Sequence, residues 1–207
     1  MRTLLLTTAL ALSLSGCAGS DQDPETEPTG AVTTAVDVGT APGTELAYGE
    51  SATLVWQPTA EMSGEVELSV DAVAEQRASV LDGWTRDEAL AAARPYFVQV
   101  SLTNTGESAL AGQVVPLYLR DDRDRLGAPW TLGGDFEACQ SGPMPTPFAP
   151  GDSTTMCLVY LAPDGARVED VVFEPTEGYD PISWTGEVDR PGKADPDRPR
   201  KSREPRG

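Results

Sequence analysis

Glu65-Val66-Glu67-Leu68-Ser69-Val70-Asp71-Ala72 decides the fold. Apolar and polar residues alternate strictly along it. A period of two is that of a β-strand, which turns successive side chains to opposite faces. One face of this segment is aliphatic and the other acidic or hydroxylic, so it reads as a half-buried strand of an antiparallel sheet. Ser51 to Trp56 precedes it as a second β-like run.

Further runs follow at short intervals: Tyr96 to Thr103, Val114 to Arg120, Trp130 to Leu132, Thr154 to Leu161, Val168 to Phe173 and Ile182 to Trp184. Asn104-Thr105-Gly106 and Pro150-Gly151-Asp152 supply turn chemistry between them. Pro116 cannot donate to a ladder, which places its run at an edge or a bulge. The single helical signal is Thr85 with Glu88 three residues on, then Ala89 to Ala93 and Pro95, a capping box opening about two turns before a proline. The expectation is an all-β antiparallel sandwich of seven or eight strands with one short crossover helix.

The ends of the chain have a different character. Arg2 followed by the apolar run Leu4 to Leu14 reads as an export signal, too short to span a bilayer. Leu14-Ser15-Gly16-Cys17 resembles the lipobox of bacterial lipoproteins. That resemblance implies cleavage after Gly16, a diacylglyceryl thioether on Cys17 and anchoring to the outer side of the cell membrane. Two acyl chains hold a protein stably where one does so only marginally.

Residues 17–45 then form an acidic tether rich in Pro, Thr and Gly, which cannot bury enough apolar surface to offset its ordering entropy. As a flexible coil it would span roughly 30 Å. Residues 46–186 are the expected sandwich. Residues 187–207 carry seven basic and five acidic residues among Pro and Gly and are expected to be a disordered mixed-charge tail.

Charge and composition exclude several functions. The chain holds 33 Asp plus Glu against 15 Lys plus Arg, a formal charge of −18, which excludes the concentrated positive surface that nucleic acid requires. It has no His. Ser-His-Asp and Cys-His nucleophilic sites are therefore absent, as are imidazole ligands for zinc or copper. Lys193 and Lys201, the only lysines, lie in the tail. No cofactor is implied, and the remaining catalytic chemistry is that of paired carboxylates.

Three stretches carry a family resemblance: Pro95-Tyr96-Phe97-Val98 running into Leu102-Thr103-Asn104-Thr105-Gly106, then Phe148-Ala149-Pro150-Gly151-Asp152, then Cys157-Leu158-Val159-Tyr160-Leu161-Ala162-Pro163. Together they resemble an immunoglobulin-like domain of unknown function found in actinobacterial lipoproteins and secreted proteins, whose sandwich is similar to that of the mycobacterial immunoprotective extracellular antigen. The resemblance implies a fold and a location and transfers no catalytic residue.

Three features are candidates for function. Cys139 and Cys157 are expected to pair in an exported chain, as a staple between neighbouring segments. Asp121-Asp122-Arg123-Asp124 is the densest polar cluster; Asp121, Asp122 and Asp124 could converge on calcium, and a solvated hairpin loop is the preferred alternative. Trp56 and Trp184 sit in apolar runs and read as core, whereas Trp84 and Trp130 lie in loop-like sequence and are the candidates for a surface contact.

The expected protein is thus a monomeric, lipid-anchored binding module that meets an envelope protein or polymer and is not an enzyme. A carboxylate-dependent enzyme on wall glycan and a structural spacer are the alternatives.

Overall fold

The computed structural model describes residues 39–84, 90, 92–132 and 136–192. The signal, Cys17 and its lipobox, most of the tether, residues 193–207 of the tail, and residues 85–89 and 91 of the expected crossover helix lie outside the described residues. Among those described, no helix is long and apolar enough to cross a membrane.

The described chain is an all-β sandwich of two sheets. The strands are β1 (Glu45–Ala47), β2 (Ser51–Thr59), β3 (Met62–Glu75), β4 (Arg94–Asn104), β5 (Leu117–Asp121), β6 (Leu126–Gly127), β7 (Ser153–Ala162), β8 (Val168–Phe173), β9 (Ile182–Thr185) and β10 (Val188–Asp189). One sheet has the order β1-β9-β8-β5-β6. The other runs β10-β3-β4-β7, with β2 also paired to β3.

The aliphatic face of the opening stretch is the core, as its alternation requires. Val66, Leu68 and Val70 of β3 lie beside Leu54 of β2 and Tyr96, Val98, Val100 and Leu102 of β4, all buried. Across the sandwich they meet Leu117, Leu119, Val171, Phe173, Ile182 and Trp184. Each such side chain contributes about 1.5–3 kcal/mol by leaving water. Trp56 packs edge-on against Phe173, and Trp184 donates its Nε1–H to the carbonyl of Glu50 at 2.9 Å, so both are core tryptophans.

Several expectations need correction. The alternation does not continue to Ala72: Val70 pairs with Val100 but Ala72 pairs with Gln99, so Asp71 is the extra residue of a β-bulge and Val73 takes the inward position. Pro116 precedes its strand instead of lying in it. Trp130 makes a single bridge to Val159 in place of a strand.

The sheets are mixed, because β1 runs parallel to β9 and β10 parallel to β3. These added strands also widen the domain. Thr40 exchanges hydrogen bonds with Thr53, and the Gly43 N–H reaches the Asp180 carbonyl, so residues 39–45 belong to the sandwich although their composition suggests tether. At the other end β10 lies within the stretch assigned to the tail.

Candidate functional site

The outward face of the β2-β3-β4-β7 sheet divides into two halves, and strand register shows how. In the upper half, β4 and β7 pair Phe97 with Val159 and Gln99 with Cys157. Phe97 and Val159 are buried there, together with Phe136 and Cys139, beneath the segment that joins β6 to β7. Cys139 is disulfide-bonded to Cys157, with Cα atoms 5.2 Å apart, which holds that segment on the sheet. Ser141 assists by accepting the Val159 N–H on its hydroxyl at 3.0 Å. The disulfide is therefore the local staple that the spacing implied.

Trp84 and Trp130 flank this covered half. Trp84 is 38% exposed and meets the Phe136 ring edge-on at 5.0 Å; Phe136 in turn meets Phe97 at 5.9 Å. Trp130 is 40% exposed and is held by its own N–H, which donates to the Val159 carbonyl at 2.7 Å. The structure thus brings both candidate tryptophans to the same cluster, each with a ring surface facing water.

In the lower half Ser51, Glu67, Ser153 and Thr155 are exposed, Thr53, Ser101 and Thr103 half-buried and Ser69 buried, and the composition of this face is unusual. Ser51, Ser69, Ser101 and Thr155 are cross-strand neighbours in one row, and Thr53, Glu67, Thr103 and Ser153 in the next. Eight positions on four strands thus hold seven hydroxyls and one carboxylate. Adjacent members of a row are about 4.8 Å apart, and the rows are separated by two residues, about 6.7 Å.

Neighbouring hydroxyls are already ordered. Thr103 and Ser153 hydrogen-bond at 2.9 Å, and Ser101 and Thr155 approach at 3.4 Å. The bulge residue Asp71 accepts from Ser69 at 2.5 Å and from Ser101 at 2.6 Å, so the bulge turns a carboxylate over the first row. A shallow trough of about 400 Å³ is lined by Ser51, Glu67, Ser69, Ser101, Thr103 and Thr155 among others. No outward position of β2, β3, β4 or β7 near it holds Lys or Arg.

The Asp121-Asp122-Arg123-Asp124 cluster is a hairpin loop between β5 and β6. Asp121 is buried, and its Oδ1 accepts the backbone N–H groups of Arg123 and Arg125 at 2.9 and 3.0 Å while its Oδ2 accepts Arg125 Nε at 2.8 Å. Burial alone would raise its pKa, but the Arg125 and Arg123 N–H groups and the Arg125 guanidinium outweigh burial and hold it below the ordinary range. Asp122 accepts the Arg167 N–H at 3.2 Å, turned toward another loop, and Asp124 takes a left-handed conformation at φ 59°.

The three carboxylates therefore do not converge, and the described residues include no acidic, His or Cys group arranged to hold a metal. The oxygens of Asp121 and Asp122 are instead engaged in loop closure, by the backbone N–H groups of Arg123, Arg125 and Arg167 and by the Arg125 guanidinium.

The two turns quoted for the family resemblance are neighbours in space. The Gly151 N–H donates to the Asn104 carbonyl at 2.8 Å, the Asn104 N–H to Asp152 at 2.9 Å, and the Asn104 side chain to Ser108 at 2.9 Å. They join one end of β4 to one end of β7.

No family model and no curated protein matches the chain. Among solved structures it is similar to the yjhA protein from Bacillus subtilis, with 18% identity over 64% of this chain and 81% of that one, at a TM-score of 0.37.

Proposed function

We propose that this chain is a lipid-anchored, extracytoplasmic binding module of the bacterial cell envelope, tethered through Cys17 and meeting its partner with the outward face of the β2-β3-β4-β7 sheet. The observation that carries this reading is the division of that face. Its upper half is sealed by a disulfide-held segment and flanked by exposed tryptophans, while the lower half is left open as ordered hydroxyl rows. The contact in this reading is one of complementary shape and hydrogen bonding, with no bond made or broken. The lipobox and the immunoglobulin-like motifs favour the same place and kind of protein.

Two measurements test it. Mass spectrometry of the chain recovered from membranes should find a diacylated Cys17 as the mature N-terminus; an unmodified N-terminus downstream of Cys17 removes the anchor. Sedimentation of the unacylated chain (Cys17→Ser) with membrane-free wall fragments should be lost when Ser101 and Thr103 are both replaced by Arg. Retention of sedimentation in that variant, with folding intact, would move the contact elsewhere.

A further inference from the structure

We propose that the open half of the sheet face docks a polyhydroxylated chain bearing ammonium groups, an amino-sugar glycan, with its hydroxyls on the two Ser/Thr rows and its charge on Glu67 and Asp71. The inference rests on the binding-module reading and names the ligand class for that surface.

Three physical arguments lead to this occupant. A hydroxyl is donor and acceptor at once, so a row of them can meet another polyol in either sense of each hydrogen bond. Spacing of about 4.8 Å between strands repeats that capacity at a regular interval. Ser and Thr also have short side chains, which lose less rotamer freedom on immobilisation than the Lys, Glu or Arg usual on a solvent face. The hydroxyls bonded to one another or to Asp71 are partly ordered before anything arrives.

Charge selects among polyols. The trough holds Glu67, and Asp71 stands over Ser69 and Ser101, with no basic side chain at the neighbouring outward positions. The chain as a whole carries −18, so an anionic glycan is repelled and a cationic one attracted. Phe97 and Val159 lie four residues along the strands from Ser101 and Thr155, about 13 Å away. A chain lying along β4 and β7 therefore runs from the hydroxyl rows toward the covered half that Trp84 and Trp130 flank, where a sugar ring can stack on an exposed indole.

The test is calorimetric titration of the intact chain with four probes: the glucosamine hexamer, its fully N-acetylated counterpart, cellohexaose and pentalysine. The glucosamine hexamer is expected to bind about tenfold tighter than each of the other three. Glu67→Gln should weaken it about tenfold at low salt, and less at high salt as screening shortens the reach of the charge. Thr103→Val should weaken the hexamer while leaving pentalysine unchanged. The Glu67 side chain is exposed and bonds to no described residue, so its variant tests the charge without disturbing the fold.

Pentalysine binding as well as the hexamer would reduce the surface to an acidic patch and overturn the proposal. Equal binding of cellohexaose would remove the role of charge and overturn it too. Residues 193–207 hold six basic against three acidic side chains. A photocrosslink from position 155 to that segment in the free chain would assign the surface to the chain's own tail and overturn the proposal. If no probe binds while sedimentation of the unacylated Ser101/Thr103 variant with membrane-free wall fragments is still lost, the ligand class fails and the binding-module reading stands.

Discussion

Replacing Cys139 and Cys157 together by Ala removes one cross-link that closes a loop of sequence separation 18. In the chain-entropy model a loop of that length stabilises the fold by about 3 kcal/mol, because the cross-link denies the unfolded chain its open conformations. For a domain of this size that corresponds to a melting temperature lower by about 6–12 °C. The principal core is a separate cluster from the one that contains Cys139, so the sandwich should remain folded and unfold in one transition.

The local consequence should be larger than the global one. Cys139 is buried with Phe136, on which Trp84 rests, so freeing the segment exposes the Trp84 indole. The assay is thermal unfolding followed by far-ultraviolet circular dichroism, with tryptophan fluorescence read on the same samples, in oxidising and reducing buffer. Reduction of the natural chain and the double substitution should lower the melting temperature equally, and reduction should not affect the variant. A loss below about 1 kcal/mol, or a sandwich that no longer folds without the bond, would refute the reasoning.

The Tyr48 hydroxyl is buried and meets no hydrogen-bond partner among the described residues, so Tyr48→Phe should raise stability by about 1 kcal/mol, read from the denaturant midpoint. Burial first, and the charge of Asp170 second, push the Tyr48 pKa up to about 12. The folded state thus keeps a proton that the unfolded chain releases near pH 10. This contribution is whole below pH 10 and declines between pH 10 and 12, and the Phe variant should lack that decline. The pKa of Asp121 is depressed, so its contribution is present above the ordinary carboxylate range and lost as pH falls through its folded value; Asp121→Asn should lower stability at pH 7 by about 1–3 kcal/mol and flatten the acid limb of unfolding. Millimolar calcium should leave the melting temperature of the natural chain unchanged, a shift being the sign of coordination by this loop. A Cβ on Gly186 would come within 2.3 Å of Tyr48 Cδ2, so Gly186→Ala should destabilise by about 1–3 kcal/mol, and Tyr48→Ala in the same chain should relieve part of that loss.

Much of the sandwich was legible from single strands. Val66, Leu68 and Val70, and likewise Val98, Val100 and Leu102, alternate with polar residues, and those inward positions are the core. Period two is a property of one strand and needs no partner to be visible. Asp71 was misread because its bulge preserves the alternation of the sequence while breaking that of the structure. Only the pairing with Val100 and Gln99 exposes the extra residue. The short parallel strands β1 and β10 were invisible for a related reason, since two or three residues carry no periodicity and are held by neighbours remote in sequence.

The candidate surface was legible in part. Trp84 and Trp130 stood out by their flanking residues, and both are exposed. The hydroxyl rows did not stand out, because each strand contributes one Ser, Thr or Glu per row and the row exists only after three registers are set. The acidic loop illustrates the opposite error. Asp121, Asp122 and Asp124 are adjacent in sequence and diverge in space, since the turn directs Asp121 inward to its own N–H groups and Asp122 toward Arg167.

Position-resolved photocrosslinking on intact cells tests the central claim most directly. A photoreactive residue replaces Thr155 on the open face of β7 or, as control, the exposed Glu169 on β8 of the other sheet. The account predicts an envelope adduct from position 155 that disappears when Ser101 and Thr103 are replaced by Arg, and none from position 169. Equal adducts from both positions, or an adduct from position 169 alone, would contradict it.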